Sequence, residues 1–271
     1  MAGKKKDTSL LHHLIGSRSL VWNLAKNDIK KKFAGSYFGV VWAFVQPVIT
    51  VLLYWFVFEK GLNSKATDLR TGIEIPFVLW LTAGLVPWFY FQEALNGGTG
   101  VLVEYSYLVK KVVFQIDMLP VVKMISALFT HLFFVAFTMV LFICMGYMPD
   151  WYALQVIYYS FCMILFATGL VYATSAVTVF FRDMKEVVGI LLQIGMWVTP
   201  IMWNFETMVQ IPGWAIAVLK LNPMYYIVSG YRNALINHIG FWEDMGLTVY
   251  FWVVTAVLLF LGTTVFKRLR P

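Results

Sequence analysis

The chain has 271 residues, 60% of them hydrophobic and only 13% charged, with a formal charge of +7. A water-facing surface on a chain of that length needs more charge, so the composition excludes a soluble domain and implies an integral membrane protein. The basic residues are dispersed around apolar runs rather than gathered on one face, which argues for membrane orientation and against a nucleic-acid partner.

The first residues, MAGKKK, are basic, but the following LLHHLIGSRS is too polar for a secretory apolar region, so no cleaved signal is expected. Leu10, Leu11, Leu14, Ile15, Val21, Trp22 and Ile29 then recur near helical spacing, interrupted by Arg18, with Asn23, Lys26 and Lys30 on other faces. This pattern predicts a basic amphipathic helix within residues 1–36, lying along the membrane surface among lipids.

Six segments supply the roughly 20 apolar residues that a bilayer core requires. They lie at about 38–58, 75–94, 121–148, 151–181, 187–204 and 247–266. Segment 206–240 is apolar in two halves separated by Lys220, Asn222 and Pro223, and neither half spans alone. Charge decides the count. Six crossings put every basic residue except Lys60, Lys65, Arg70, Lys220 and Arg232 on the side of both termini, whereas a seventh would carry the terminal KRLR across. The expected fold is therefore an all-α integral membrane protein with six transmembrane helices, both termini cytoplasmic, and two short re-entrant helices in segment 206–240, held in the outer leaflet.

Catalytic signatures are missing. No GxxxxGK[ST] occurs, and the glycine-rich NGGTG at Asn96–Gly100 lacks the lysine that would reach terminal phosphates, so the chain is not expected to hydrolyse ATP. Neither HExxH nor GxSxG is present, His131 reads as a packed polar residue, and Cys144 and Cys162 read as small core residues. No metal site or cofactor of its own is expected. Glu74 and Glu93 stand near opposite ends of the second span, without the ladder of acids that a proton-driven carrier would show.

Two polar faces do stand out. Trp42, Gln46, Thr50 and Tyr54 follow a four-residue stride in the first span, and Gln193, Trp197, Pro200 and Asn204 form a similar stripe in the fifth. Opposed across a lumen they would offer hydrogen-bonding groups and flat rings to a polymer of sugars or polyol phosphates; otherwise they pack and bond neighbouring helices. Thr168, Tyr172 and Ser175 share a face of the fourth span and read as helix packing.

Short motifs flank the spans. In FRDMKE, Arg182 and Asp183 can pair at the inner interface. In LNP, Asn222 can cap a helix starting at Pro223, and GYR places Arg232 beside the outer leaflet. The stretch YSYLVKKVVFQIDMLP, Tyr105–Pro120, has too many apolar residues for a polar turn and too few to span, so it needs a protein surface to cover it.

Taken with NDIKKKFAGSYFGVVWAFVQP at Asn27–Pro47, LVKKVVFQIDMLP at Leu108–Pro120, FRDMKE at Phe181–Glu186, TPIMW at Thr199–Trp203 and LNP at Leu221–Pro223, the order of parts resembles the membrane subunit of ABC exporters for cell-surface polysaccharides, the family of O-antigen, capsular and wall teichoic acid permeases. The resemblance covers nearly the whole chain. It implies a homodimer in the bacterial plasma membrane, with a cytoplasmic ABC ATPase subunit on each half that holds ATP and Mg, moving a lipid-linked polysaccharide or teichoic acid outward. It also implies that the first and fifth spans line the conduit and that loop 105–118 couples to the ATPase. Mapped here, the coupling residues are Leu108, Lys110, Lys111, Phe114 and Asp117. The family often has Phe-Pro-Arg after the lysines, whereas this chain reads Phe114, Gln115, Ile116, Asp117. YWFVFEKGL at Tyr54–Leu62 looks like the wall teichoic acid branch but names no polymer. Export of another lipid or small amphiphile, a membrane enzyme acting on lipid-linked sugars, and a non-transporting scaffold are the alternatives.

Overall fold

The computed structural model describes residues 18–32, 34–106, 116–204 and 212–269. Helix α1, Arg18–Lys32, ends in three lysines that complement the negative end of its dipole. Its Val21 and Ala25, one turn apart, are buried against Met118 and Val122. After a 3₁₀ turn at Gly39–Val41, helix α2 runs from Trp42 to Trp55 and continues as a π-turn through Gly61.

A pair of two-residue strands follows, β1 (Ala66–Thr67) against β2 (Glu74–Ile75), in antiparallel register. Composition gave no hint of it. Its connection is an aspartate turn: burial alone would raise the Asp68 carboxyl, but bonds from the Thr71 hydroxyl and the Arg70 and Thr71 amides hold it below its ordinary value.

Helix α3, Phe77–Thr99, is apolar nearly all round its first four turns and is the centre of the bundle; Leu79, Leu81, Ala83 and Leu85 are wholly buried. A short helix α4, Val101–Glu104, leads towards the loop before helix α5, Met118–Cys144. Asp150 caps a 3₁₀ turn at Trp151–Leu154 by accepting the Tyr152 amide, and helix α6 then runs from Gln155 to Phe180.

Helix α7, Met184–Val198, stops short of the expected 204 because Thr199 precedes a proline and takes an extended conformation. Two short helices come next, α8 (Gly213–Lys220) and α9 (Pro223–Arg232), the latter closed by a π-turn at Asn233–Asn237 and a left-handed His238. Helix α10, Met245–Leu269, returns along α6. Where α6 and α10 cross, a methyl group on Gly262 would collide with the Gly169 carbonyl, and one on Gly169 with the backbone at Leu258. Only glycine allows that approach of backbones.

The described residues are thus almost wholly helical, and four helices are long and apolar enough to cross a membrane: Trp42–Gly61, Met118–Cys144, Trp151–Phe180 and Met245–Leu269. The chain is a multi-pass membrane protein. Helix α3 has the length, but its last turns carry Gln92, Glu93 and Asn96; α7, at 15 residues, is only ~22 Å long.

Candidate functional site

The two ends of the bundle differ chemically. At one end, α4, the start of α5, and the closes of α6 and α10 meet around Leu102, Tyr105, Leu119, Tyr172 and Phe266. Helix α1 docks there through charge. Asp28 accepts bonds from Lys123 at 2.6 Å and from the Tyr105 hydroxyl at 2.7 Å, while Lys123 also reaches Glu104. Lys32 pairs with Glu93 at 2.7 Å, so that carboxylate is met by a lysine of α1 rather than only by headgroups or water.

These groups border a crevice of about 580 Å³ between α1, α2, α3 and α5. Its wall includes Gln46, Gln92, Asn96 and Lys185. The basic crevice was legible only in part: Asp28, a lone acid in a lysine-rich helix, and Lys123, a lone cation in an apolar one, are positions that each demand a partner.

The stripe on α2 is largely uncovered. Trp42 and Gln46 are exposed, Tyr54 is half-buried edge-on to Phe58, and the Thr50 hydroxyl is satisfied by the Gln46 carbonyl of its own helix at 3.0 Å. On α7, Gln193 is exposed and Trp197 is 57% exposed, while only Val188 and Leu192 are buried. Both helices pack on α3. Among the described residues, none covers the outer faces of α2 and α7.

At the opposite end, Asn222 caps α9 by accepting the Met224 amide at 3.0 Å, with Pro223 in the first turn, and its amide group donates to Thr199 at 2.7 Å. Arg232 is turned into the protein. It is buried, with its guanidinium 3.3 Å from the centre of the Trp80 ring, and it donates to the carbonyls of Pro200 at 2.6 Å and Ile201 at 2.7 Å. Gln155 bridges the Ile239 carbonyl and the Phe241 amide, and Asn237 accepts the amide of Leu69, in the turn between the two strands. A cavity of about 290 Å³ lies here, lined by Arg232, Asn204, Ser229, Asn233 and Asn237.

Other expected residues fall as follows. Arg182 and Asp183 are exposed and do not pair with each other; Arg182 instead lines a crevice beside Lys185 and Glu104, because the chain turns between them into α7. His131 is buried, its Nε2 bonded to the Tyr231 and Ser160 hydroxyls. The Tyr172 hydroxyl donates to the Asp117 carbonyl at 2.8 Å, which pins the residue before α5. Leu108, Lys110, Lys111 and Phe114 lie outside the described residues. Among the described residues no cluster of three or more metal-binding side chains occurs.

The family comparison decides the class. Residues 19–236 match the model of the ABC-2 type transporter family. This chain belongs to the ABC-2 type transporter family. Among its relatives, the O-antigen export system permease protein of Myxococcus xanthus is 25% identical over 261 residues, covering 96% of each chain. Two O-antigen export system permease proteins of Klebsiella pneumoniae are each 20% identical over 251 residues, covering 91% of this chain and 90% of theirs.

Proposed function

We propose that this chain is the membrane subunit of an ATP-driven exporter that moves a lipid-linked cell-surface polysaccharide or teichoic acid outward across the bacterial plasma membrane. The observation that carries the reading is the pair of exposed glutamine and tryptophan faces on α2 and α7, flanking the buried α3, in a chain whose relatives are O-antigen export permeases. A second copy of the chain would cover them and close a conduit, offering amide groups and flat rings to sugars.

Six crossings are the proposed count, two more than the four helices that are long and apolar enough by themselves. Helices α2, α3, α5, α6, α7 and α10 would cross, while α8 and α9 stay at the far end through Asn222, Arg232 and Gln155. The lysine-rich end is then cytoplasmic, together with both termini. The short α7 would be completed in depth by the Thr199–Asn204 segment, where non-helical backbone is covered by protein.

ATP and Mg would sit on a separate cytoplasmic ATPase docked at loop 105–118, with Lys110, Lys111 and Asp117 as charged contacts. Motion of that loop reaches α1 through the bond between Tyr105 and Asp28, and α3 through Lys32 and Glu93. The test is co-purification with the candidate ATPase. Reversing Lys110 and Lys111 to glutamate is expected to abolish stimulated ATP hydrolysis while the permease stays inserted; full coupling in that variant would remove the docking role. Gln46→Cys and Gln193→Cys are expected to react with water-soluble thiol reagents in the assembled dimer, and protection of both would sink the conduit.

A further inference from the structure

The basic crevice and the two polar faces belong to the reading above, but Arg232 does not. It is a strong base buried to 6% exposure, and among the described residues it makes no ion pair with a carboxylate. A desolvated cation persists only where dipoles replace its water. Here the Nε, Nη1 and Nη2 groups donate to the carbonyls of Trp80, Pro200 and Ile201, and the guanidinium lies flat on the Trp80 ring. Two of those carbonyls belong to the segment just beyond the C-terminus of α7, where the negative end of the helix dipole favours a cation. The chain also makes room for the group: a methyl on Gly84 would stand 2.7 Å from Nη2.

We propose that Arg232 is the positioning residue of the outer mouth, where its guanidinium holds the non-helical end of α7, and with it Asn204, against α3 and α9. Three elements distant in sequence converge on one side chain, at residues 80, 200–201 and 232. Every bond of this brace goes to a carbonyl dipole and none to a carboxylate. Water admitted from the adjoining cavity of about 290 Å³ could take over each one, so the brace is reversible rather than permanent. Lysine could keep the charge, but not the flat fork that reaches two carbonyls while stacking on a ring. The word "mouth" rests on the export reading; the brace itself is tested on the permease alone, without ATPase or polymer.

The experiment uses the full chain in vesicles, with Cys144→Ser and Cys162→Ala as background and Ile201→Cys as reporter, since Ile201 is wholly buried. A membrane-impermeant maleimide should label position 201 slowly when Arg232 is intact, several-fold faster with Arg232→Met, and at an intermediate rate with Arg232→Lys. Trp151→Cys, at a site 85% exposed, should label equally in all three. Gly84→Ala displaces the guanidinium without removing it and should also speed labelling, which keeps the test alive if Arg232→Met fails to accumulate. Phe251→Leu, a core change elsewhere, should leave position 201 protected at a comparable loss of melting temperature. Unchanged labelling in both the Arg232→Met and Gly84→Ala proteins overturns the proposal, as does equally fast labelling in Phe251→Leu, which would reduce Arg232 to ordinary packing.

Discussion

Helices α3 and α6 and helices α2 and α7 are built from similar apolar residues, yet they live in different surroundings. α3 and α6 are held by their own chain: α3 is buried through most of its length, and α6, although Ile157, Phe161 and Phe180 are exposed, meets α10 backbone to backbone at Gly169 and Gly262. α2 and α7 each spend one face on α3 and leave the other uncovered. In lipid, apolar exposure alone carries no penalty, so association depends on close packing and on polar groups that need partners. The first pair therefore supplies stability, and the second pair, which carries Gln46, Gln193 and Trp197, is the one the proposed conduit would use.

That contrast can be broken in order of expected effect. Gly262→Val should cost the most, at or above about 3 kcal/mol, because the obstacle is backbone that cannot rotate away; detergent melting and membrane level would read it, and a silent substitution would show that the crossing is looser than described. Asp28→Ala should cost up to about 3 kcal/mol, since Lys123 then loses its buried carboxylate and keeps Glu104 and the Tyr105 ring, and a joint Asp28→Leu and Lys123→Met replacement should cost less than the single change. A double-mutant cycle on melting checks the sign.

Trp197→Ala, on an uncovered face, should leave melting of the single chain within about 0.5 kcal/mol while export falls; a large melting loss would place α7 with the structural helices. The smallest effect concerns pH. The folded Asp68 carboxyl titrates below its unfolded value, so the stability it contributes is fully present above about pH 4 and is lost as pH falls through the folded value. The protection of the Arg70 and Thr71 amides against exchange, taken relative to the intrinsic rate at each pH, should fall on acidification in the parent, and Asp68→Asn should show the lower protection already at neutral pH.

Much of the site reads directly from residue patterns. The stripe on α2 is a four-residue stride, and Asn222 and Pro223 are a helix start written in two adjacent residues, found here as cap and first turn. Such features are local, set by helical period and by caps. Arg232 is a different case: its sequence neighbours offer no partner, and its bonds to Trp80, Pro200 and Ile201 follow only from the fold. The end of α7 has a simpler reason: apolar residues continue past Val198, but Thr199, before the proline at 200, takes the extended conformation that such a position favours, whereas α2 and α3 carry Pro47 and Pro87 within the helix.

By itself the sequence determined the membrane class, the apolar segments, the charge asymmetry and the polar faces, because each follows from residue type and short-range period. The tertiary structure alone decided which charges meet which, that α3 is the enclosed helix, and that α2 and α7 keep uncovered faces. Those outcomes depend on where helices cross, and crossings are set by close approaches such as Gly169 to Gly262 between residues far apart in the chain.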